Sequence, residues 1–442
     1  MGILLVFGLT YQSLAMNQYN PQSTYGFPEL KRNIPVKADF CISLGGNCTD
    51  KINTILKTSD QFVVSFMYRF NSPSLIRTLQ EKRLNAIPVV VFLDYNQVKN
   101  KGKNEEDEEE DTKYQKYVRH LIENVPTSFI NLDGKPFHHK VIISKKQGEE
   151  AIVILGSANA TFEADNVHSE DSVIIQSNEL AYDLLSKFDE LTVMNQNTRK
   201  IISIDSHKVT TNEENRDLLK TFQSYLSQND KKTILATGYD AKITALAVSD
   251  PRLHKNYMNN CLGVIVEHIF QAKNNLLLFF ENFISSVEMA QHITRLPSSK
   301  LIVVDEDKNN IPFNNFFNPD QNNVTTSLAF RPFTGGKFHH KLIVQYPSDG
   351  QPIIYTGSFH FSENAIKQNS ETLIGIQRKE LAGDYIASIL INSGLGEEQQ
   401  VQNFINQQLG SYHPSVQLAL KIFQTPKTIL FNPFTSEWPN AN

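Results

Sequence analysis

Two copies of one four-part pattern organise this chain. Each copy begins with Phe-His-His-Lys, continues through a short apolar run to a Gly-Ser pair, and ends with a Ser-Glu pair. The first copy occupies 137–140, 156–157 and 169–170, and the second occupies 338–341, 357–358 and 370–371. Corresponding residues are 201 positions apart throughout, as His138 and His339 illustrate. One coincidence of His and Lys would mean little, but the same pattern used twice in one register is an internal repeat.

Each His-His-Lys segment precedes an apolar, mostly β-branched run, which predicts that the segment opens a buried strand. Side chains alternate along a strand, so His138 and Lys140 should share one face while His139 points to the other. His339 and Lys341 should be arranged in the same way. The Gly-Ser pairs follow the next strand, where backbone N–H groups and a hydroxyl can hold an anion.

Brought together, the two copies would supply two imidazoles, two ammonium groups and two anion-binding turns. This set fits one phosphate diester, because one imidazole can attack phosphorus while the other protonates the leaving oxygen. We therefore predict one composite active site with His138, Lys140, His339 and Lys341 as its catalytic residues. No cluster in the sequence has the spacing of a metal site, and we expect no cofactor.

The sequence His-x-Lys followed by Gly-Ser-x-Asn resembles the signature of the phospholipase D superfamily, and the likeness covers most of the chain in two halves. The resemblance implies a phosphohistidine intermediate and no catalytic metal. It implies that His138 and His339 are the catalytic pair and that Lys140 and Lys341 bind phosphate. It also implies residues that contact phosphate oxygens or orient the imidazoles. These are Ser157, Asn159 and Ser358 for the phosphate, and Glu170 and Glu371 for the imidazoles.

Some positions depart from the superfamily pattern. An Asp often lies five residues after the Lys, and here those positions are Lys145 and Tyr346. That Asp is usually a structural partner outside the chemistry. The second Gly-Ser turn carries His360 in place of Asn, although an imidazole can also donate to phosphate. A catalytically degenerate binding protein is therefore an alternative, but both His-x-Lys pairs are intact.

The order of strand and helix patterns between Phe40 and Asp94 predicts an α/β fold, and Leu301–Asp305 parallels the last of these strands. We expect two similar halves with pseudo-twofold symmetry and one shared active site. Each half should be a mostly parallel sheet flanked by helices. The N-terminal half should span 16–232 and the C-terminal half 233–442. The protein should be a monomer, because both half-sites are in one chain.

Residues 2–15 form an apolar stretch that ends Ser-Leu-Ala, which favours a secretory signal cleaved after Ala15. A buried first strand is the alternative. Export to a secreted or periplasmic location would allow a disulfide between Cys41 and Cys48 and would leave Cys261 free. The alternative is that all three cysteines are reduced and buried.

Two polar segments have more than one interpretation. The wholly acidic run 105–111, in the stretch 104–113, predicts a solvated, mobile loop, with calcium binding or repulsion of polyanions as alternatives. The segment 309–323 is rich in Asn, Pro and Phe and predicts a long loop. Its Phe side chains could insert into lipid or stack on bases, or they could pack the loop down.

The charge balance bears on the substrate. Lys and Arg total 42 against 47 for Asp and Glu, so the chain does not have the basic character of a general nucleic-acid binder. No segment is long enough to cross a membrane. The tandem architecture, balanced charge and aromatic loop favour a phospholipase D that acts at a phospholipid membrane surface and releases phosphatidic acid. A nuclease is the alternative, since Cys41–Asp50 resembles the opening of the superfamily's bacterial endonuclease branch.

Overall fold

A sheet of fourteen strands runs through the described part of the chain. The computed structural model describes residues 33–43, 48–97, 108–132, 134–194, 212–226, 238–249, 261–265, 275–280, 300–305, 324–329, 337–346, 351–360 and 362–393. The first seven strands are β1 (Ile34–Ile42), β2 (Phe62–Met67), β3 (Val89–Asp94), β4 (Thr127–Ile130), β5 (Lys140–Lys145), β6 (Ile152–Gly156) and β7 (Asp171–Gln176). The remaining strands are β8 (Tyr239–Ser249), β9 (Asn275–Phe280), β10 (Lys300–Asp305), β11 (Val324–Ala329), β12 (Lys341–Tyr346), β13 (Ile353–Gly357) and β14 (Glu371–Gln377).

Helices flank this sheet. In chain order they are α1 (Cys48–Thr58), α2 (Pro73–Leu84), α3 (Glu108–Asn124), α4 (Phe162–Asn166), α5 (Asn178–Met194), α6 (Asn212–Leu226), α7 (Cys261–Val264), α8 (Glu363–Lys367) and α9 (Lys379–Ser393). A short 3₁₀ turn, Tyr95–Gln97, follows β3. None of the helices in the described ranges is both long enough and apolar enough to span a membrane.

The strand order is β4-β3-β2-β5-β6-β7-β1-β8-β14-β13-β12-β9-β10-β11. Read outward from the central antiparallel pair β1–β8, both sides of the sheet follow the same sequence of strands. The α/β class is thus confirmed, with a large sheet flanked by helices. The pseudo-twofold relation and the boundary at 232–233 stay predictions.

The prediction of mostly parallel sheets is wrong. Among the described strands, β2–β3, β3–β4, β9–β10 and β10–β11 are parallel, and the other neighbouring pairs are antiparallel. A parallel pair needs a long crossover, which α2 and α3 supply between β2, β3 and β4. A short connection joins β5 to β6, so these two strands run in opposite directions. β6 and β7 are also antiparallel, and α4 with its flanking turns joins them.

The acidic stretch also differs from its prediction. From Glu108 to Asp111 it belongs to helix α3, whereas the sequence favoured a mobile loop across 104–113. Glutamate is a good helix former, and acidic side chains in the first turn complement the helix dipole. Thr112 and Lys113 also belong to α3, whereas residues 104–107 lie outside the described residues, as do the apolar stretch 2–15 and the aromatic segment 309–323.

Strand β2 illustrates how the core forms on both faces of the sheet. Phe62, Val64 and Phe66 pack in the cluster beneath α5 and α6, while Val63 and Met67 face α1, α2 and α3. A run of apolar residues is therefore buried on both sides, as expected for a central strand. Each fully buried Phe stabilises the fold by roughly 1.5–3 kcal/mol.

A disulfide joins the end of β1 to the start of α1. It links Cys41 and Cys48, whose Cα atoms lie 5.1 Å apart. Cys261 has a free, buried thiol. Of the two arrangements that the sequence allowed, the structure contains the one with a single disulfide.

Candidate active site

The two motif copies meet crosswise. Each His-His-Lys segment ends at the first residue of β5 or β12. The N–H of His138 donates to the carbonyl of Ser370 at 2.9 Å, and the N–H of His339 donates to the carbonyl of Ser169 at 2.8 Å. Because Ser169 and Ser370 begin the Ser-Glu pairs, each histidine lies beside the glutamate of the other copy.

Two His-Glu dyads result from this crossing. Nδ1 of His138 lies 2.9 and 3.0 Å from the two carboxylate oxygens of Glu371. Nδ1 of His339 forms an ion pair with Oε1 of Glu170. Both glutamates are fully buried, whereas the histidines keep 7% and 9% exposure for His138 and His339, respectively. The imidazoles therefore reach solvent while their carboxylate partners do not.

The lysines approach the two histidines differently. Lys140 Nζ lies 3.0 Å from His138 Nε2 and 3.2 Å from the His138 carbonyl oxygen. Lys341 Nζ donates to the His339 carbonyl oxygen at 2.7 Å. An ammonium group has donors only, so the nitrogen of His138 that faces Lys140 is the unprotonated one. The proton of that imidazole is then on Nδ1, towards Glu371.

The two buried carboxyl groups have shifted pKa values of opposite sign. Burial raises the pKa of Glu371 to about 8, against the opposing effects of Lys140 and of the Ser358 hydroxyl. Burial also acts to raise the pKa of Glu170, but the charge and hydrogen bond of His339 outweigh it and lower that pKa. Glu170 is thus held ionised beside His339, whereas burial dominates at Glu371, and this difference distinguishes the two dyads.

The inner histidine of the first copy, His139, is fully buried and points away from the dyads. Its ring nitrogens form hydrogen bonds with the hydroxyls of Thr372 at 2.6 Å and Ser370 at 2.7 Å. Burial, together with the charges of His138 and Lys140, places the pKa of His139 well below its usual value. This imidazole is neutral and is held by two hydroxyls from the other copy.

The inner histidine of the second copy, His340, has a carboxylate partner instead. Its Nδ1 lies 2.8 Å from Asp171 Oδ1 and its Nε2 lies 2.9 Å from the Ser169 hydroxyl. The other oxygen of Asp171 accepts hydrogen bonds from Thr356 at 2.7 Å and Tyr385 at 2.5 Å. Burial opposes ionisation, but His340 and these hydroxyls lower the pKa of Asp171 below its usual range.

The Gly-Ser turns pack against the residues that follow the dyad glutamates. A Cβ on Gly156 would overlap the carbonyl oxygen of Asp171, and a Cβ on Gly357 would overlap that of Thr372. Gly357 also has a φ of +153°, which favours glycine. The close approach explains why the pattern has glycine at this position in both copies.

The two serine hydroxyls bind different carboxylates. Ser157 donates to Asp171 Oδ1 at 2.8 Å and accepts from the Asp171 N–H at 2.8 Å. Ser358 donates to Glu371 Oε2 at 2.5 Å and accepts from the Thr372 N–H at 2.9 Å. A hydroxyl has one proton to donate, so both serines are placed to orient carboxylates in this structure.

Asn159 and His360 occupy the same position of the two Gly-Ser turns. The Asn159 N–H donates to Glu170 Oε2 at 3.1 Å. The His360 ring lies between both dyads, with its centroid 5.3 Å from that of His138 and 5.6 Å from that of His339. Both residues are partly exposed, so their side chains can reach a group bound between the dyads.

Tyr68 was not predicted from the sequence to be a site residue. Its ring contacts the edge of His138 at a centroid distance of 4.6 Å, and Lys140 Nζ lies 5.4 Å from its centroid. Tyr68 follows β2, and Met67 is paired with Lys140 across the sheet. Only knowledge of that strand pairing could have found this residue.

His168 and Asn369 were also missed, although the repeat register relates them. Asn369 Nδ2 donates to Glu371 Oε1 at 2.9 Å, and the His168 ring lies 6.1 Å from that of His339. Each residue lies two positions before a dyad glutamate. Extending the repeat by this short distance would have placed both beside the site.

Residues 52–192 match a family model described as cardiolipin synthase, phospholipase D-like domain. They include the first motif copy and strands β2 to β7. This segment is a phospholipase D-like domain. The superfamily of such domains contains phosphodiesterases and phosphotransferases. No curated protein matched the chain in a sequence search.

Solved structures resemble the chain at low sequence identity. The phosphatidylserine synthase of Haemophilus influenzae Rd KW20 matches 89% of this chain and 94% of its own, with a TM-score of 0.51 and 13% identity. Nuc from Salmonella typhimurium, a phospholipase D family member, matches 35% of this chain and 93% of its own, with a TM-score of 0.30 and 17% identity. Polyphosphate kinase from Porphyromonas gingivalis matches 80% of this chain and 50% of its own, with a TM-score of 0.46 and 11% identity. The first of these likenesses shows the fold alone.

Proposed function

We propose that the protein is a phosphoric diester hydrolase that cleaves a phospholipid and releases phosphatidic acid, as a phospholipase D does. The observation that carries this proposal is the pair of His-Glu dyads from opposite motif copies, with the ring of His360 between them. Centroid distances of 5.3 and 5.6 Å from His360 to His138 and His339 support a shared site in which both imidazoles act on one phosphate group. The two lysines supply the positive charge there, so we propose no cofactor.

His138 is the proposed nucleophile. Its Nε2 accepts a hydrogen bond from the Lys140 ammonium at 3.0 Å and is therefore the nitrogen that carries the lone pair. Glu371 holds the opposite nitrogen, which fixes the tautomer and the direction of the ring. Attack forms a bond between Nε2 and phosphorus and breaks the bond from phosphorus to the leaving oxygen. The product of this step is a phosphohistidine.

His339 is the proposed acid. The ionised Glu170 stabilises the protonated ring of His339, so this imidazole begins the reaction with a proton to give. That proton goes to the leaving oxygen as its bond to phosphorus breaks. In the second step the neutral His339 accepts a proton from water, the water oxygen attacks phosphorus, and the bond to His138 breaks.

Four side chains are proposed to hold the phosphoryl oxygens. Lys140 and Lys341 are charged donors, and Asn159 and His360 are donors that lie partly exposed between the dyads. In the complex, Lys140 would turn from His138 Nε2 to the phosphate, which frees that nitrogen to attack. Ser157 and Ser358 orient carboxylates, as their hydrogen bonds to Asp171 and Glu371 indicate.

The phospholipid substrate is supported by the description of the matched family, which is a cardiolipin synthase domain, and by the balanced charge of the chain. A membrane surface as the partner, a monomeric state and a secreted or periplasmic location belong to the same proposal. A nuclease is the second candidate. It is favoured by Tyr68, because an aromatic ring beside the nucleophile could stack on a base.

The decisive experiment offers purified protein two substrate classes. We would incubate it with vesicles of mixed phosphatidylcholine and phosphatidylglycerol, and separately with single- and double-stranded DNA. We expect phosphatidic acid from the vesicles and intact DNA. His138→Asn should abolish the release, whereas His120→Asn, a matched change at an exposed position of α3, should not.

Other results would change the proposal. Shortened DNA without phosphatidic acid would replace the phospholipase with the nuclease. A phosphatidyl group transferred to an added alcohol in preference to water would make the protein a transferase with the same covalent intermediate. Unchanged release by His138→Asn would refute the assigned chemistry.

A further inference from the structure

Asp171 and Thr372 occupy the same position of the two motif copies, directly after the dyad glutamates. Each contacts the inner histidine of the other copy. Asp171 Oδ1 lies 2.8 Å from His340 Nδ1, and Thr372 Oγ1 lies 2.6 Å from His139 Nδ1. In both copies the residue at this position contacts the inner histidine of the other copy, but its side chain is a carboxylate in only one of them.

This difference determines where the neighbouring serine donates its proton. Ser157 lies next to Asp171 and donates to that carboxylate at 2.8 Å. Ser358 lies next to Thr372, whose side chain is engaged with His139, and it donates to the dyad carboxylate of Glu371 at 2.5 Å. Ser157 thus donates a hydrogen bond to a carboxylate outside the dyads, and Ser358 donates one to a carboxylate inside a dyad.

We propose that Asp171 and Thr372 make the two dyads chemically unequal, because Asp171 binds the Ser157 hydroxyl while Thr372 leaves the Ser358 hydroxyl to Glu371. The inference rests on the proposed function, in which both dyads are catalytic. Ser358 is then a positioning residue that acts through Glu371 on His138. Ser157 acts through Asp171, which contacts His340 just before β12, and it does not act through Glu170.

The hydrogen bond from Ser358 affects the ionisation of Glu371. A hydroxyl that donates to a carboxylate stabilises its ionised form, and the Ser358 hydrogen bond lowers the pKa of Glu371 against the effect of burial. The ionisable groups around Glu371 are His138, Lys140, Lys341, Tyr68 and Cys261. A change at Ser358 alters none of these groups, so its effect on the dyad can be separated from theirs.

The test compares Ser358→Ala with Ser157→Ala by nitrogen-15 NMR of labelled histidine rings across pH. The His138 signals are assigned by their loss in His138→Asn. A hydrogen bond to a charged group is worth enough to move a pKa by about one unit. We expect Ser358→Ala to move the His138–Glu371 transition by about one unit, with Glu371 taking its proton at higher pH. Ser157→Ala should leave that transition in place.

Three further variants complete the design. Ser358→Thr keeps a hydroxyl and should restore the wild-type transition. Thr372→Asp offers Ser358 a second carboxylate and should shift the transition in the same direction as Ser358→Ala. Ser358→Cys keeps a weak donor and serves if the alanine variant does not fold. Where turnover is measurable, the acid limb of kcat/KM should move with the NMR transition.

Equal shifts in both alanine variants, or a shift in neither, would overturn the inference. The NMR titration needs no substrate, so it still decides the inference if the protein cleaves no phosphodiester. A failure to cleave any phosphodiester would instead refute the proposed function.

Discussion

The two motif copies have the same backbone arrangement and differ in the polar side chains around it. Both place a histidine and a lysine at the start of a strand and cross to the glutamate of the other copy. The differences fall at positions that touch the dyads or the inner histidines. They are Asn159 against His360, His168 against Asn369, and Asp171 against Thr372.

The inner histidines of the two copies have different hydrogen-bond partners. A buried imidazole needs hydrogen-bond partners, and each copy supplies two of them in a different way. His139 has two hydroxyls, whereas His340 has one hydroxyl and the carboxylate of Asp171. A repeat can therefore keep one fold while its two halves acquire different electrostatics, which suits an attacking group and an acid.

The largest predicted difference separates His138→Asn from His339→Asn. On a phospholipid, each variant should lose at least about 10³-fold in kcat/KM. On a p-nitrophenyl phosphodiester, whose leaving group needs no proton, His339→Asn should release p-nitrophenol in the first turnover and His138→Asn should not. A stopped-flow measurement of the first turnover checks this. Equal release by both variants would contradict the assigned roles.

Stability should distinguish the two inner positions. Asp171→Ala leaves His340 and three hydroxyls without their buried carboxylate and should cost about 3–5 kcal/mol. Thr372→Val removes one hydrogen bond to His139 and should cost about 1–3 kcal/mol. Denaturant unfolding of both variants measures the two free energies. A larger loss of unfolding free energy in Thr372→Val than in Asp171→Ala would show that the carboxylate of Asp171 does not stabilise the fold more than the hydroxyl of Thr372.

A smaller effect is expected at the Gly-Ser turns. Asn159 can donate through its amide at any pH, whereas His360 gains charge only when protonated. Asn159→Ala should therefore reduce activity by a similar factor at every pH. His360→Asn should keep most activity and change mainly the acid side of the profile. An inactive His360→Asn variant would assign this histidine a role beyond phosphate binding.

Chelation of metal ions should not change turnover. If Lys140 and Lys341 supply the charge that stabilises the phosphoryl group, turnover in excess EDTA should equal turnover without it. Loss of activity that zinc or magnesium restores would refute this account. Loss that only calcium restores would instead point to a regulatory role of the acidic stretch 104–113.

The sequence predicted which motif residues lie together better than it predicted the strand directions, and the catalytic roles of those residues stay predictions. The register of the repeat was enough to predict a composite site, because it required His138 and His339 to have equivalent surroundings. It left open which glutamate faces which histidine, since that depends on how the copies cross. The contact between Tyr68 and His138 could not be predicted either, because it arises from the pairing of β2 with β5.

Strand direction was predicted wrongly for a physical reason. Alternating strand and helix patterns from Phe40 to Asp94 indicate parallel neighbours, and β2, β3 and β4 are parallel. The same rule does not extend to β5 and β6, whose connection is too short for a parallel crossover, or to β6 and β7, which are antiparallel although α4 lies between them. Asp171 and Thr372 were not predicted to be site residues, because nothing in the sequence of one strand indicates that an imidazole from the other motif copy lies beside it.

In the proposed mechanism His138 carries the phosphoryl group and His339 carries the proton. The most direct test is to mix His339→Asn with substrate, quench in acid under conditions that preserve phosphohistidine, and locate the phosphate by peptide mass spectrometry. We predict a phosphorylated peptide that contains His138, and none in His138→Asn treated in the same way. A covalent phosphate on His339 of the wild-type protein would reverse the roles, and its absence from both histidines would contradict the double-displacement mechanism.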